Sequence, residues 1–182
     1  PILTQHPLFK QMAKNDEHCL AMICHLATGQ RRLEPGEVLF RLGETCSKMF
    51  YVVSGELNYY LGMNKVGFAV EAPAMLSEAV LWMSWEHSGR MVANSFCDLV
   101  TVLSESFREI IATSSGMKRN YQLYAQSFRS ELFPERPEGE SLPRVSDICD
   151  EKQVEGIVAA AFDVLKVDLD RKGTTSTIGT HH

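Results

Sequence analysis

The chain has 182 residues, 45% hydrophobic and 23% charged, with a net charge of −5 and a pI near 5.7. That is enough apolar material for one domain with a sizeable core, and the acidic balance argues against nucleic-acid binding, which draws on a clustered basic face. No apolar run approaches the roughly 18 residues a membrane helix needs, and the opening PILTQHPLF lacks the basic-then-apolar order of a secretory leader.

Without an initiator methionine the sequence is expected to be a piece cut from a longer chain, and the closing His181-His182 reads as a tag remnant. Five cysteines (Cys19, Cys24, Cys46, Cys97 and Cys149), an odd number with no CxxC pair, are expected to be reduced, as in a cytoplasmic protein.

Residues 1–30 form a helical lead-in. Leu8, Phe9 and Met12 recur at helical spacing, Asn15 is a candidate cap for a second segment, and Leu20, Ile23, Cys24 and Ala27 make its apolar stripe before Gly29. Residues 31–133 begin with short strand signals at about ten-residue spacing. RRLEPGEVLFRLGE has a Pro-Gly turn, a strand and a second glycine turn. KMFYVVSGELNYYLG is two apolar runs joined at Ser54-Gly55, a hairpin signal. KVGFAVEAP and GRMVANSFCDLVTVLS supply further strands. The expected fold class is α+β: an antiparallel eight-stranded β-roll, jelly-roll-like, over residues 31–103, flanked by N- and C-terminal helices.

Helix returns with Ser104 as a candidate cap. Met117, Tyr121, Tyr124, Ala125, Phe128 and Leu132 then share one face. Residues 134–145, with three prolines, read as a linker. Residues 146–170 read as a final helix capped by Ser146 or Asp147, with an apolar stripe of Val154, Ile157, Val158, Ala161, Phe162 and Leu165. Residues 171–182 are polar and expected to be disordered.

Two chemistries find little support. His18 and His25 in HCLAMICH lie two helical turns apart, roughly 10 Å, too far to share a metal ion. Cys97 and Ser77 lack spaced His–acid partners for nucleophilic catalysis, so an enzyme is not expected.

The order of these signals resembles the cyclic-nucleotide-binding domain family over about residues 30–133. LEPGEVLFRLGE, with Gly36 and Gly43, is similar to the family's opening, and MFYVVSGEL, with Gly55, to its next turn. LSEAVLW resembles the phosphate-binding cassette, and CDLVTVLSESFREII the last strands and first C-terminal helix. In that family the cassette glutamate contacts the ribose 2′-hydroxyl. An arginine nine residues on grips the cyclic phosphate, and a Thr or Ala follows it. The resemblance carries these positions to Glu78, His87 and Ser88, with Ser77, Ala79 and Gly89 beside them, and implies cyclic AMP or cyclic GMP as ligand.

The departures fall at the chemistry. Ser77 replaces a glycine that lets the phosphate approach, Pro73 replaces another, and His87 replaces the arginine. Losing a charge-assisted bond costs ~1.5–3 kcal/mol, so dissociation constants at or above about 0.1 mM are expected. A phosphate facing His87 would bind more tightly as pH falls from about 7.5 to 5.5. The plainer readings make Glu78 a turn cap, His87 a partly exposed loop histidine, and Trp82 and Trp85 core or rim hydrophobes. Arg90 lies an odd number of positions from His87 along an expected strand and should face away.

The family resemblance implies a cytoplasmic regulatory domain. Its hosts include cation channels, cyclic-nucleotide-dependent kinases and transcription regulators. The TQHPLF lead-in and the variant cassette resemble voltage-gated potassium-type channels, whose pore domain or sister subunits would be the partners. The alternatives are a kinase regulatory domain, or a pure protein-interaction module with a self-occupied or closed pocket, as in channels whose pocket is filled by their own C-terminal segment.

Overall fold

A computed structural model describes the backbone of residues 2–133 and 145–173 and the side chains of these up to Phe162. After a short 3-10 turn (Ile2–Gln5), helices α1 (Pro7–Asn15) and α2 (Glu17–Leu26) form the lead-in. Asp16, not Asn15, caps α2, because its carboxylate accepts the Cys19 N–H at 3.3 Å.

Ten strands follow: β1 (Thr28–Leu33), β2 (Val38–Phe40), β3 (Thr45–Cys46), β4 (Lys48–Ser54), β5 (Glu56–Leu61), β6 (Phe68–Glu71), β7 (Ala74–Leu76), β8 (Trp85–Glu86), β9 (Gly89–Ala93) and β10 (Cys97–Leu103). Eight of them build the two faces of an antiparallel roll, ordered β1-β10-β4-β7 and β2-β9-β5-β6. The other two, β3 and β8, pair only with each other, over two residues each.

The apolar strands serve two cores at once. Along β4 the side chains alternate: Met49 and Tyr51 enter a core shared with the helices, while Phe50 and Val52 enter the roll interior. On β7, Met75 and Leu76 divide the same way. The Ser54-Gly55 signal is not a hairpin, since β4 and β5 belong to different sheets. Gly55 (φ +94°) is the corner between them. A Cβ there would lie 2.3 Å from the Phe96 carbonyl oxygen, so only glycine fits.

Helix α3 (Ala79–Trp82) interrupts the strands. Helices α4 (Ser104–Thr113) and α5 (Lys118–Leu132) close the helical layer. Ser104 is the first residue of α4 rather than its cap, and Leu103 holds the cap position without a side-chain bond. The final helix, α6 (Glu151–Gly173), buries Val154, Ile157, Ala161 and Phe162 with α1 and α5. It begins later than residue 146 because Asp150 provides the cap, accepting from Lys152 N and Gln153 N. The linker, except Val145, and the tail from residue 174 lie outside the described residues. Among the described residues no helix is long and apolar enough to cross a membrane.

Candidate functional site

The stretch between β8 and β9 is held tightly. The His87 N–H donates to the Glu44 carbonyl at 3.0 Å, and the His87 carbonyl accepts from Gly43 N at 2.8 Å. The imidazole stacks flat on Phe40, with centroids 3.8 Å apart and planes 3° apart. These constraints aim the next two N–H groups, of Ser88 and Gly89, at one point inside the roll. Glycine is required at the second: a Cβ on Gly89 would lie 2.5 Å from the Tyr60 carbonyl oxygen and 2.7 Å from the Tyr59 ring.

The anion at that point is the Asp147 side chain. Its Oδ2 accepts from Ser88 N at 2.8 Å, Gly89 N at 3.1 Å and the Tyr59 hydroxyl at 2.8 Å. Its Oδ1 accepts from Trp85 Nε1 at 2.8 Å and His87 Nδ1 at 3.0 Å. Five donors thus satisfy a carboxylate that is fully buried. Burial alone would cost such a charge several kcal/mol, so this degree of satisfaction is what lets it exist there.

His87 is the cationic partner. Burial pulls its pKa down, but its hydrogen bonds to Asp147 and the Cys46 side chain, with their charges, outweigh this and hold it up at about 9. The histidine is therefore neither exposed nor neutral near pH 7, which corrects the reading of it as a loop histidine. It is 4% exposed. The titration expected between pH 7.5 and 5.5 is also displaced upward. Arg90 is exposed, its guanidinium 4.5 Å from the Tyr60 ring centre, and takes no part in the site.

The backbone around Asp147 completes the occupation. β7 is an edge strand of its sheet. Residues 147–149 pair with its free edge: Ser77 N donates to the Asp147 carbonyl, Cys149 N donates to the Met75 carbonyl, and Ile148 lies antiparallel to Leu76. Ile148 packs against the roll core. Residues 145–150 therefore form a strap across the site. The space left among Glu78, Trp85, Phe128, Leu132, Asp147 and Val154 is about 30 Å³. That suits one or two waters, whereas small-molecule pockets measure roughly 300–1,000 Å³.

Glu78 faces a different set of partners. Its Oε2 lies 2.9 Å from His6 Nε2, and its Oε1 accepts from the Tyr124 hydroxyl at 2.6 Å and Trp82 Nε1 at 3.3 Å. His6 Nδ1 accepts the Leu8 N–H at 3.1 Å, so its Nε2 carries the proton and donates to Glu78. The buried glutamate thus joins the lead-in, the cassette helix and α5. It does not cap α3 with its side chain.

Of the sequence-derived positions, Ser77, His87, Ser88 and Gly89 come together around Asp147. Glu78 turns to His6 and Tyr124, and Ala79 packs into the helical core. Sequence reasoning missed Asp147, Tyr59 and His6 as site residues, and weighed Trp85 as a core or rim hydrophobe or a cover for a base rather than as a hydrogen-bond donor. One signal pointed to Asp147: two acidic residues, Asp147 and Asp150, precede a helix that needs one cap.

Several solved structures resemble this fold. The C-linker/CNBHD of zELK channels, crystallized in the presence of cAMP, is 27% identical with a TM-score of 0.55, over 71% of this chain and 61% of that one. The fold is that of a cyclic-nucleotide-binding domain. The regulatory domain of Toxoplasma gondii PKA, co-crystallized with cAMP, is 25% identical with a TM-score of 0.53, over 72% of this chain and 49% of that one. A cyclic nucleotide-binding-like protein from Brucella abortus matches at 22% identity and a TM-score of 0.53, over 61% of this chain and 95% of that one, a likeness of fold alone. This chain spans about three fifths of each of three zELK channel fragments that it matches. No family model matches the sequence, and no curated protein does. Within the cyclic-nucleotide-binding fold, the region the sequence assigns to the ligand phosphate is where Asp147 sits.

Proposed function

We propose that this chain is a cytoplasmic, non-enzymatic regulatory domain of a voltage-gated cation channel, whose nucleotide site is held by its own strap. The observation that carries the reading is the Asp147 carboxylate with its five donors. A carboxylate so placed takes the anion's position without a nucleotide. Glu78 is saturated by His6, Tyr124 and Trp82, so the group that would bind a ribose is engaged. The domain then acts through whether the strap is docked, transmitting this to the pore domain or sister subunits through the lead-in and the C-terminal helices. Channel origin draws support from the 27% identity to the zELK fragment.

Isothermal titration of the full chain with cyclic AMP and cyclic GMP tests the reading. Dissociation constants at or above about 0.1 mM are expected for both, since strap and nucleotide compete for one slot and the arginine is replaced. Micromolar binding of either nucleotide by the unmodified chain would overturn it. The second reading, a kinase regulatory domain that binds cyclic AMP, rests on the 25% identity to the Toxoplasma gondii PKA domain and predicts that micromolar result.

A further inference from the structure

The strap's recognition is concentrated in three consecutive residues. Asp147 supplies the carboxylate, and its carbonyl accepts from Ser77 N. Ile148 supplies an aliphatic side chain to the roll core. Cys149 supplies a backbone N–H to Met75. None of these contacts depends on the strap being joined to α5 or α6. They are the elements of strand addition to a sheet edge, in which main-chain bonds give affinity and side-chain pockets give specificity.

A cyclic nucleotide offers the site an anion but no backbone to pair with β7. An extended peptide offers both. Charge points the same way: His87 is a cation held inside the slot, and Trp85 Nε1, Ser88 N and Gly89 N can only donate, so the slot favours an anion. We infer that the site is a receptor for an extended acidic peptide, an Asp followed by an aliphatic residue, supplied by a partner protein and displacing residues 147–149. The inference rests on the proposed strap-held site and names the class of ligand that site accepts from outside.

The resident strap sets how strongly such a partner must compete. A tethered segment acts at an effective concentration in the millimolar range, so free peptide sees the site mostly blocked in the unmodified chain. Weakening the strap without emptying the core should expose it. Two full-length variants serve: Asp147→Asn, which keeps the shape of the side chain, and Asp147→Ala with Ile148→Ala, which removes both anchors.

The probe is a fluorescein-labelled peptide of sequence VSDICD, residues 145–150, titrated into each protein and followed by fluorescence anisotropy. Thermal unfolding first establishes that each variant is folded. Saturable binding to both variants is expected, at least tenfold tighter than to the unmodified chain. The peptide VSNICD should bind at least tenfold more weakly, and 1 mM cyclic AMP should displace neither. A folded variant that ignores VSDICD, or that binds VSDICD and VSNICD alike, overturns the inference. So does displacement of bound VSDICD by cyclic AMP at 1 mM or below, because the nucleotide would then compete for the site. If the peptide fails while His87 still titrates near pH 9 in the unmodified chain, only this inference falls. If His87 instead titrates near its ordinary value there, the strap-held reading beneath it falls as well.

Discussion

Ser77 sits at φ +61°, in the left-handed region where a non-glycine residue costs of order 1–3 kcal/mol. Its backbone N–H is committed to the strap, while its hydroxyl makes only a 3.4 Å contact to His87 Nδ1. Replacing Ser77 with glycine should therefore raise unfolding stability by about 1 kcal/mol, read by urea titration. A loss of stability would mean the hydroxyl matters more than the strain. His87 makes the second residue-scale prediction. Its folded pKa of about 9 lies above the ordinary 6.5. The contribution to stability is thus complete below pH 6.5 and disappears as pH rises through about 9. Stability should fall across that window by up to about 3 kcal/mol from this group. Asp147→Asn should remove most of the fall, as urea titrations at pH 6.5 and 9.5 would record.

Among the elements, α3 is the junction. It is four residues long and holds its place through Glu78, which reaches α5 at Tyr124 and the residue before α1 at His6. Glu78→Ala should leave two buried donors, on His6 and Tyr124, and the part-buried Trp82 N–H without their acceptor, at ~1–3 kcal/mol for each buried one, and destabilise the fold by about 3 kcal/mol or more. A glutamate reserved for a ligand would instead leave the free protein's melting temperature nearly unchanged. The elements themselves were largely legible in the sequence. Short, glycine-punctuated apolar runs specify strands because each has only a few residues in which to alternate between two cores. The stripe on α5 likewise follows from helical period. The Ser54-Gly55 junction was misread because a turn glycine looks the same whether the chain returns beside itself or crosses to another sheet. The start of α6 was misread because Asp147 and Asp150 are equally good caps in isolation. Only the roll, distant in sequence, claims the first.

At the scale of the whole molecule, the site is assembled from segments the chain keeps far apart. Tyr59 comes from β5, Trp85 from β8, His87 to Gly89 from the turn into β9, and Asp147 from beyond α5. The residues from Ser77 to Gly89 are near neighbours in the chain, so the family resemblance could single them out together, with the departures it implies at Ser77 and His87. Local pattern could not pair His87 with an aspartate 60 residues later, since no periodicity links them. The pairing also gives a physical role to the histidine at the position where the resemblance expects an arginine. A histidine raised to about 9 by a buried carboxylate is already a cation near pH 7, so the slot keeps its positive charge but directs it at the chain's own anion. The central claim, that Asp147 occupies the slot, is tested most directly by following the His87 ring with NMR from pH 5 to 10 in the unmodified chain and in Asp147→Asn. The account predicts a midpoint near 9 in the unmodified chain, moving down by one unit or more in the variant. A midpoint near 6.5 in both proteins would contradict it.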